Sequence, residues 1–96
     1  MLALASELTQ TQATNCLKVL LRGLKLVAGH SVVLDASALA QFDSAALAVM
    51  LELRREATAV NKSFAVLGLP PRLADLAALY GIDALLPTMS TAPTVG

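Results

Sequence analysis

Aromatic residues are scarce in this chain, whose 96 residues include no tryptophan, one tyrosine and two phenylalanines. Hydrophobic residues still make up 56% of the sequence, so alanine, leucine and valine must form most of the core. A chain of this length can bury such a core as one domain without disulfides or a metal. The sequence therefore predicts a domain of aliphatic layers, in which helices and sheet approach each other closely.

Cysteine and unbalanced charge are also lacking. Cys16 is the only cysteine, so it cannot form an internal disulfide, and its place among leucines on a predicted helix indicates a buried structural thiol. The seven basic and seven acidic residues cancel. Neither sign forms a block of the kind that binds a phosphate backbone. We therefore expect no nucleic-acid partner.

Long apolar runs are missing from the sequence as well. The runs stop short of the roughly 18 residues that a helix needs to cross a bilayer. Met1 is followed by neither a basic segment nor a cleavage-like region of the kind found in secretory signals. We therefore expect the chain to be cytoplasmic.

The motifs that carry common enzyme chemistry are absent from the sequence. It contains no glycine-rich phosphate loop, no G-x-S-x-G, no H-E-x-x-H and no cysteine pair. His30, the only histidine, lies in a predicted turn without further ligands that would complete a metal site. Asp35, Asp43 and Ser44 could form an acid and nucleophile group, but no basic residue close in sequence could stabilise developing charge. We predict no catalytic residue, no cofactor and no metal site.

The hydrophobic pattern alternates between strands and helices. Short apolar runs predict strands at 2–5, 31–35 and 64–67, and helical spacing predicts helices at about 11–27, 45–60 and 70–80. This order indicates an α/β domain with a largely parallel sheet. The run 31–35 shows no alternation, which predicts a strand covered on both faces. The tail 88–96 is rich in Thr, Ser, Pro and Gly, so we expect it to be disordered and the domain to span 1–87.

The most informative stretch is 41–47, where a helix begins. Either Asp43 or Ser44 can accept hydrogen bonds from the first free amides of that helix. On a helical wheel of about 100° per residue, one stripe should face the sheet: Ala46, Val49, Met50, Leu53, Ala57 and Val60. The outer side and one flank form a predicted docking strip: Asp43, Ser44, Ala45, Leu47, Ala48, Leu51, Arg54 and Arg55. The alternative is that another element of the same domain covers Leu47 and Leu51.

The third predicted helix begins at Pro70 and Pro71, because proline is tolerated in the first turn of a helix. Gly81 suits the C-terminal cap of this helix. Its predicted inner face consists of Leu73, Leu76, Ala77 and Tyr80.

These features resemble the STAS domain family. The resemblance covers roughly residues 2–86 and is most specific at Phe-Asp-Ser-Ala-Ala-Leu (42–47) and at Leu-Tyr-Gly-Ile (79–82). It implies a mixed sheet with helices packed on it. The chain begins at what resembles the second strand of the family, so the family's first strand is missing. That absence would leave an unpaired sheet edge, and we expect a homodimer or strand exchange at Leu2 to Ala5.

Within the family, the chain is most similar to the MlaB-type subgroup of the phospholipid transporter that maintains outer-membrane lipid asymmetry. In that subgroup the STAS subunit binds the ATPase of an ABC transporter at the cytoplasmic face of the inner membrane. A hydroxyl at the position of Ser44 helps to form the contact. The resemblance implies a non-catalytic subunit that binds and stabilises this ATPase, and that meets the membrane only indirectly, through its partner.

The anti-sigma factor antagonists of the same family provide the alternative function. Their motif, Asp-Ser-Ser-Gly-Leu, is phosphorylated at the second serine, where this chain has Ala45. A phosphate would add close to two negative charges at the helix start, but alanine has no oxygen to accept it. The sequence therefore favours the transporter subunit and leaves an antagonist phosphorylated at Ser44 as the alternative.

Overall fold

Three helices alternate with short strands over residues 2–89, the part of the chain that the computed structural model describes. The helices are α1 (Gln10–Leu26), α2 (Ser44–Ala59) and α3 (Pro71–Leu79). The strands are β1 (Leu2–Ala3), β2 (Glu7–Leu8), β3 (Ser31–Asp35), β4 (Gln41–Phe42), β5 (Ser63–Leu67) and β6 (Thr88–Met89). The predicted α/β class, with helices packed on a sheet, is confirmed.

The main sheet has the strand order β1-β3-β5-β6, and every pairing in it is parallel. Its centre is the β3–β5 pair, in which Ser31 lies opposite Ser63 and Asp35 lies opposite Leu67. Parallel neighbours require a crossover connection, and a helix follows each of β3 and β5 before the chain returns to the sheet. Over residues 2–89 the sheet is therefore more uniform than the expected mixed sheet.

Burial alternates along the central strands. Val32 and Leu34 are buried while Val33 between them is half-buried, and Phe64, Ala65 and Val66 repeat this pattern in β5. The prediction that β3 is covered on both faces is therefore wrong. The helices cover one face, and the other face carries apolar side chains that are only partly buried. The sequence consequently lacks the polar alternation that usually marks a half-buried strand.

Helix α2 is the middle helix, because it contacts α1, α3 and β5. Five of the six residues predicted to face the sheet are buried, namely Ala46, Val49, Met50, Leu53 and Ala57. Val60 is 55% exposed instead. It follows the last helical residue with a backbone ψ of 22°, so the helical spacing no longer determines its direction.

The segment after α3 leads from the helix back to the sheet. A 3-10 turn at Asp83–Leu85 leads to the buried Leu86, which joins the core. Thr88 and Met89 then pair with Val66 and Leu67 of β5. The first two residues of the predicted tail therefore form strand β6 at the edge of the sheet. The rest of the predicted tail, 90–96, lies outside the described residues.

A second, two-stranded parallel sheet was not predicted. It pairs Glu7 with Gln41 and Leu8 with Phe42. Strands of two residues show no periodicity, so the sequence could not reveal them. Since α1 starts shortly after β2 and α2 starts shortly after β4, this pairing brings the N-termini of the two helices together.

Candidate functional site

Asp43 joins the N-termini of two helices. Its Oδ1 accepts a hydrogen bond of 2.8 Å from the Ala45 amide of α2, and its Oδ2 accepts one of 3.0 Å from the Gln10 amide of α1. The first amides of a helix have no partners within it, and the positive end of the dipole favours a carboxylate. The predicted cap on α2 is confirmed. The bond to α1 depends on the β2–β4 pairing, which the sequence did not reveal.

Replacing Asp43 with alanine should lower the free energy of unfolding by about 1–2 kcal/mol, since it removes one helix cap and one further hydrogen bond. Asp43→Asn should cost less, because its one remaining carbonyl oxygen can still accept the Ala45 amide. Urea denaturation of the three proteins measures both differences. An asparagine variant as stable as the wild type would show that the bond to Gln10 contributes nothing.

One line of α2 faces outwards. Ser44, Ala48 and Arg55 are exposed and Leu51 is half-buried. Their spacing of four, three and four residues places them on one side of a helix. These four residues are here called the α2 stripe. At the N-terminal end of the stripe, Ser44 and Ala48 have small side chains. Leu51 follows with an apolar side chain, and Arg55 places a positive charge at the C-terminal end.

Leu47 does not belong to this surface. It is 2% exposed and lies in the hydrophobic core, so its prediction as a docking residue is wrong. Because α2 is covered by α1, α3 and the sheet, its buried arc extends about 160° from Val49 to Leu47, at about 100° per residue. The alternative interpretation, coverage by the same domain, holds for Leu47. Leu51 packs against the edge of the core and remains partly exposed.

The two predicted arginines differ in position. Arg55 Nη1 lies 3.2 Å from Glu52 Oε1, yet the Arg55 side chain remains 75% exposed. An exposed pair at this spacing contributes only a few tenths of a kcal/mol, so it does not prevent Arg55 from pairing with another carboxylate. Arg54 is half-buried and lies two turns beyond Leu47, on the flank of α2. Only Arg55 therefore belongs to the α2 stripe.

A shallow depression of about 360 Å³ lies between the starts of α1 and α2. It is lined by Gln10, Asp43, Ser44, Ala45 and Ala48. Because the side chains of Ala45 and Ala48 are small, this space stays unfilled at the N-terminal end of the α2 stripe. A side chain from another protein could enter the depression, and the Ser44 hydroxyl could hydrogen bond to it.

Two of the residues considered for catalysis, Asp35 and Asp43, hydrogen bond to the residues that follow them in the chain. Asp35 accepts hydrogen bonds from the amide and hydroxyl of Ser37, at 2.9 Å and 2.6 Å, and these bonds lower the pKa of its carboxyl. They form a local turn at the end of β3. Asp43 is engaged as a helix cap. Over residues 2–89, no three His, Cys, Asp or Glu side chains cluster in a way that could hold a metal ion.

The end of α3 carries exposed apolar residues that the sequence pattern did not predict. Leu79 is 77% exposed, and Tyr80, predicted to face the sheet, is 56% exposed. Gly81 has a φ of 71° and ends the helix, so Tyr80 leaves the inner face at the C-cap. The signal in the sequence was Gly81 itself, which marks where helical spacing stops. Leu79 and Tyr80 therefore expose apolar area at the C-terminal end of α3.

The fold and the site define a small α/β interaction domain, in which helices cover one face of a parallel sheet and the middle helix presents an outward stripe. A family model described as "Mlab, STAS domain" matches residues 1–87. The chain therefore belongs to the STAS domain family, as its resemblance implied. STAS domains are in general non-catalytic interaction modules.

No curated protein matches the sequence. Among the helices of residues 2–89, none combines the length and the hydrophobicity needed to span a bilayer.

Proposed function

We propose that this chain is the STAS subunit of a phospholipid-transporting ABC transporter, in which it binds and stabilises the ATPase at the cytoplasmic face of the inner membrane. The observation that carries this proposal is the α2 stripe, an outward line of small, apolar and cationic side chains on a firmly anchored helix. The family match, which includes the MlaB type by name, supports the choice of partner.

The chemistry of the α2 stripe suits a protein helix. Ala48 has no side chain beyond Cβ, so a partner backbone can approach closely. Leu51 supplies apolar area near the centre, and Arg55 can pair with a carboxylate at the rim, which is the usual arrangement of an apolar core and a polar rim. Ser44 can donate a hydrogen bond through its exposed hydroxyl.

The anchoring of α2 favours binding without rearrangement. Asp43 fixes the first turn to α1, and six buried side chains hold the helix against the core. A surface that is already ordered loses little conformational entropy on association. Binding would in turn stabilise both proteins, because a partner that recognises only the folded state shifts the equilibrium towards it. Co-purification with the ATPase tests the proposal, with a charge introduced at Ala48 as the decisive variant.

The exposure of Ser44 favours a second candidate, an anti-sigma factor antagonist phosphorylated at this residue. A phosphate there would lie at the N-terminus of α2, which attracts negative charge. It would also lie beside the Asp43 carboxylate, which would repel it. Incubation with an anti-sigma kinase and ATP, followed by intact-mass measurement, should show no phosphate uptake. Uptake that Ser44→Ala abolishes would support the antagonist instead.

A further inference from the structure

A groove of about 240 Å³ lies between the C-terminal ends of α1 and α2. It is here called the α1–α2 groove, and it is lined by Leu21, Leu24, Lys25, Glu56, Val60 and Lys62. Leu24 is buried, Leu21 is half-buried and Val60 is 55% exposed. Apolar surface therefore extends from the core to the solvent, at the opposite end of α2 from Ser44.

The walls of this groove are held in place at both ends of the two helices. Asp43 joins their N-termini. Lys62 Nζ donates a 2.9 Å hydrogen bond to the Val27 carbonyl, just beyond the end of α1, and a second one to the Gly29 carbonyl. The ammonium group also offsets the negative end of the α1 dipole. A ligand would therefore meet a surface that is already ordered and loses little entropy on binding.

The charges of the groove favour an anionic ligand. Lys25 is exposed, and Lys62 keeps a third N–H beyond the two that its backbone partners accept. Glu56 carries the opposing charge. Over residues 2–89, however, the single ion pair within 4 Å joins Arg55 to Glu52, so Glu56 neutralises neither lysine. The groove thus combines apolar walls with a net charge of one positive unit.

We propose that the α1–α2 groove binds a fatty carboxylate. The acyl chain lies along Leu21 and Val60, and the carboxylate accepts hydrogen bonds from Lys25 and from the free N–H of Lys62. The volume lies below the roughly 300–1,000 Å³ of pockets for drug-sized ligands, which suits one chain rather than two. This inference does not depend on the ATPase, because the groove shares no residue with the α2 stripe.

Three amphiphiles with chains of the same carbon number test the proposal on the full chain, each below its critical micelle concentration. They are octanoate, octyl glucoside and octyltrimethylammonium, and amide chemical shifts report their binding by NMR. Octanoate should cause saturable shifts within 21–25 and 56–62. Octyl glucoside should bind about threefold more weakly, because it loses only exposed charge interactions. The cationic amphiphile should bind more weakly than octyl glucoside.

Variants of the charged lining residues separate the two parts of the site. Lys25→Met removes the ammonium but keeps an apolar side chain of similar length, so it should weaken octanoate about threefold and leave octyl glucoside unchanged. Lys18→Met is the matched control, since Lys18 is an exposed residue of α1 outside the groove. Glu56→Gln should strengthen octanoate binding. Val60→Asp should abolish the binding of octanoate and of octyl glucoside.

A second groove, of about 260 Å³ between β1 and α1, provides an internal comparison. Cys16, predicted to be buried, lines this groove and is only half-buried. Its one charged lining residue is Glu7, which repels a carboxylate, so octanoate should not shift the amides there. The absence of saturable octanoate shifts, equal affinities for the three amphiphiles, or unchanged octanoate binding by Lys25→Met would each overturn the proposal.

Discussion

Ala48→Glu should abolish co-purification of this chain with the ATPase of a phospholipid ABC transporter. Ala48 is exposed on the α2 stripe, one turn before Leu51, so its replacement would place a carboxylate inside the proposed contact. A charge buried there without a partner costs several kcal/mol, which corresponds to a loss of affinity of at least about a hundredfold. The domain itself should stay folded, because glutamate is a good helix former and the position is exposed.

Ala78→Glu is the matched control for this variant. Ala78 is an exposed alanine of α3 and lines a hollow with Asp83, Leu86 and Thr88, on the flank of the 3-10 turn and β6. The same chemical change at this position should leave co-purification intact.

Leu51→Asp should abolish co-purification with the ATPase, as Ala48→Glu does. Thermal unfolding must accompany Leu51→Asp, because Leu51 packs partly against the core. Binding that survives both Ala48→Glu and Leu51→Asp would mean that another face binds the ATPase.

Leu47→Ala should have the largest effect on stability. The Leu47 side chain is 2% exposed, and removing it leaves a cavity among the packed residues of the core. Substitutions of this kind cost about 2–5 kcal/mol, a large share of the marginal stability of a small domain. Urea denaturation should therefore show a much lower midpoint for Leu47→Ala than for the wild type.

Leu51→Ala is the natural comparison, because it removes the same atoms one turn further along the same helix. Its half-buried position should limit the loss to about 1 kcal/mol. Equal losses from the two variants would contradict the burial that separates Leu47 from the α2 stripe. A binding defect in Leu47→Ala alone would indicate unfolding and would not identify the docking surface.

The regular elements could be predicted because their signals are local. The apolar spacing of α1 and α2 and the β-branched run of β3 identify each element without its neighbours. Strand pairs of two residues, such as Glu7 with Gln41, carry no such signal. Their formation depends on where β3 and the helices bring the chain, which requires the assembled fold.

The candidate site could be predicted only in part, for the same reason. Asp43 precedes the helix that it caps, so its role follows from sequence position. Leu47 was misplaced because its burial depends on α2 being the middle helix, with neighbours on both sides. Val60 and Tyr80 were assigned to inner faces by spacing, but both follow the last helical residue and turn away. A sequence therefore predicts which residues form an exposed surface only when the neighbours of each helix are also known.

Photo-crosslinking from position 48 tests the central claim most directly. A photoreactive amino acid would replace Ala48 in one variant and the control residue Ala78 in a second variant. Each variant would be co-expressed with the transporter ATPase. The α2 stripe predicts a covalent adduct with the ATPase from position 48 and none from position 78. An adduct from position 78 with none from position 48 would contradict the claim that the α2 stripe binds the ATPase.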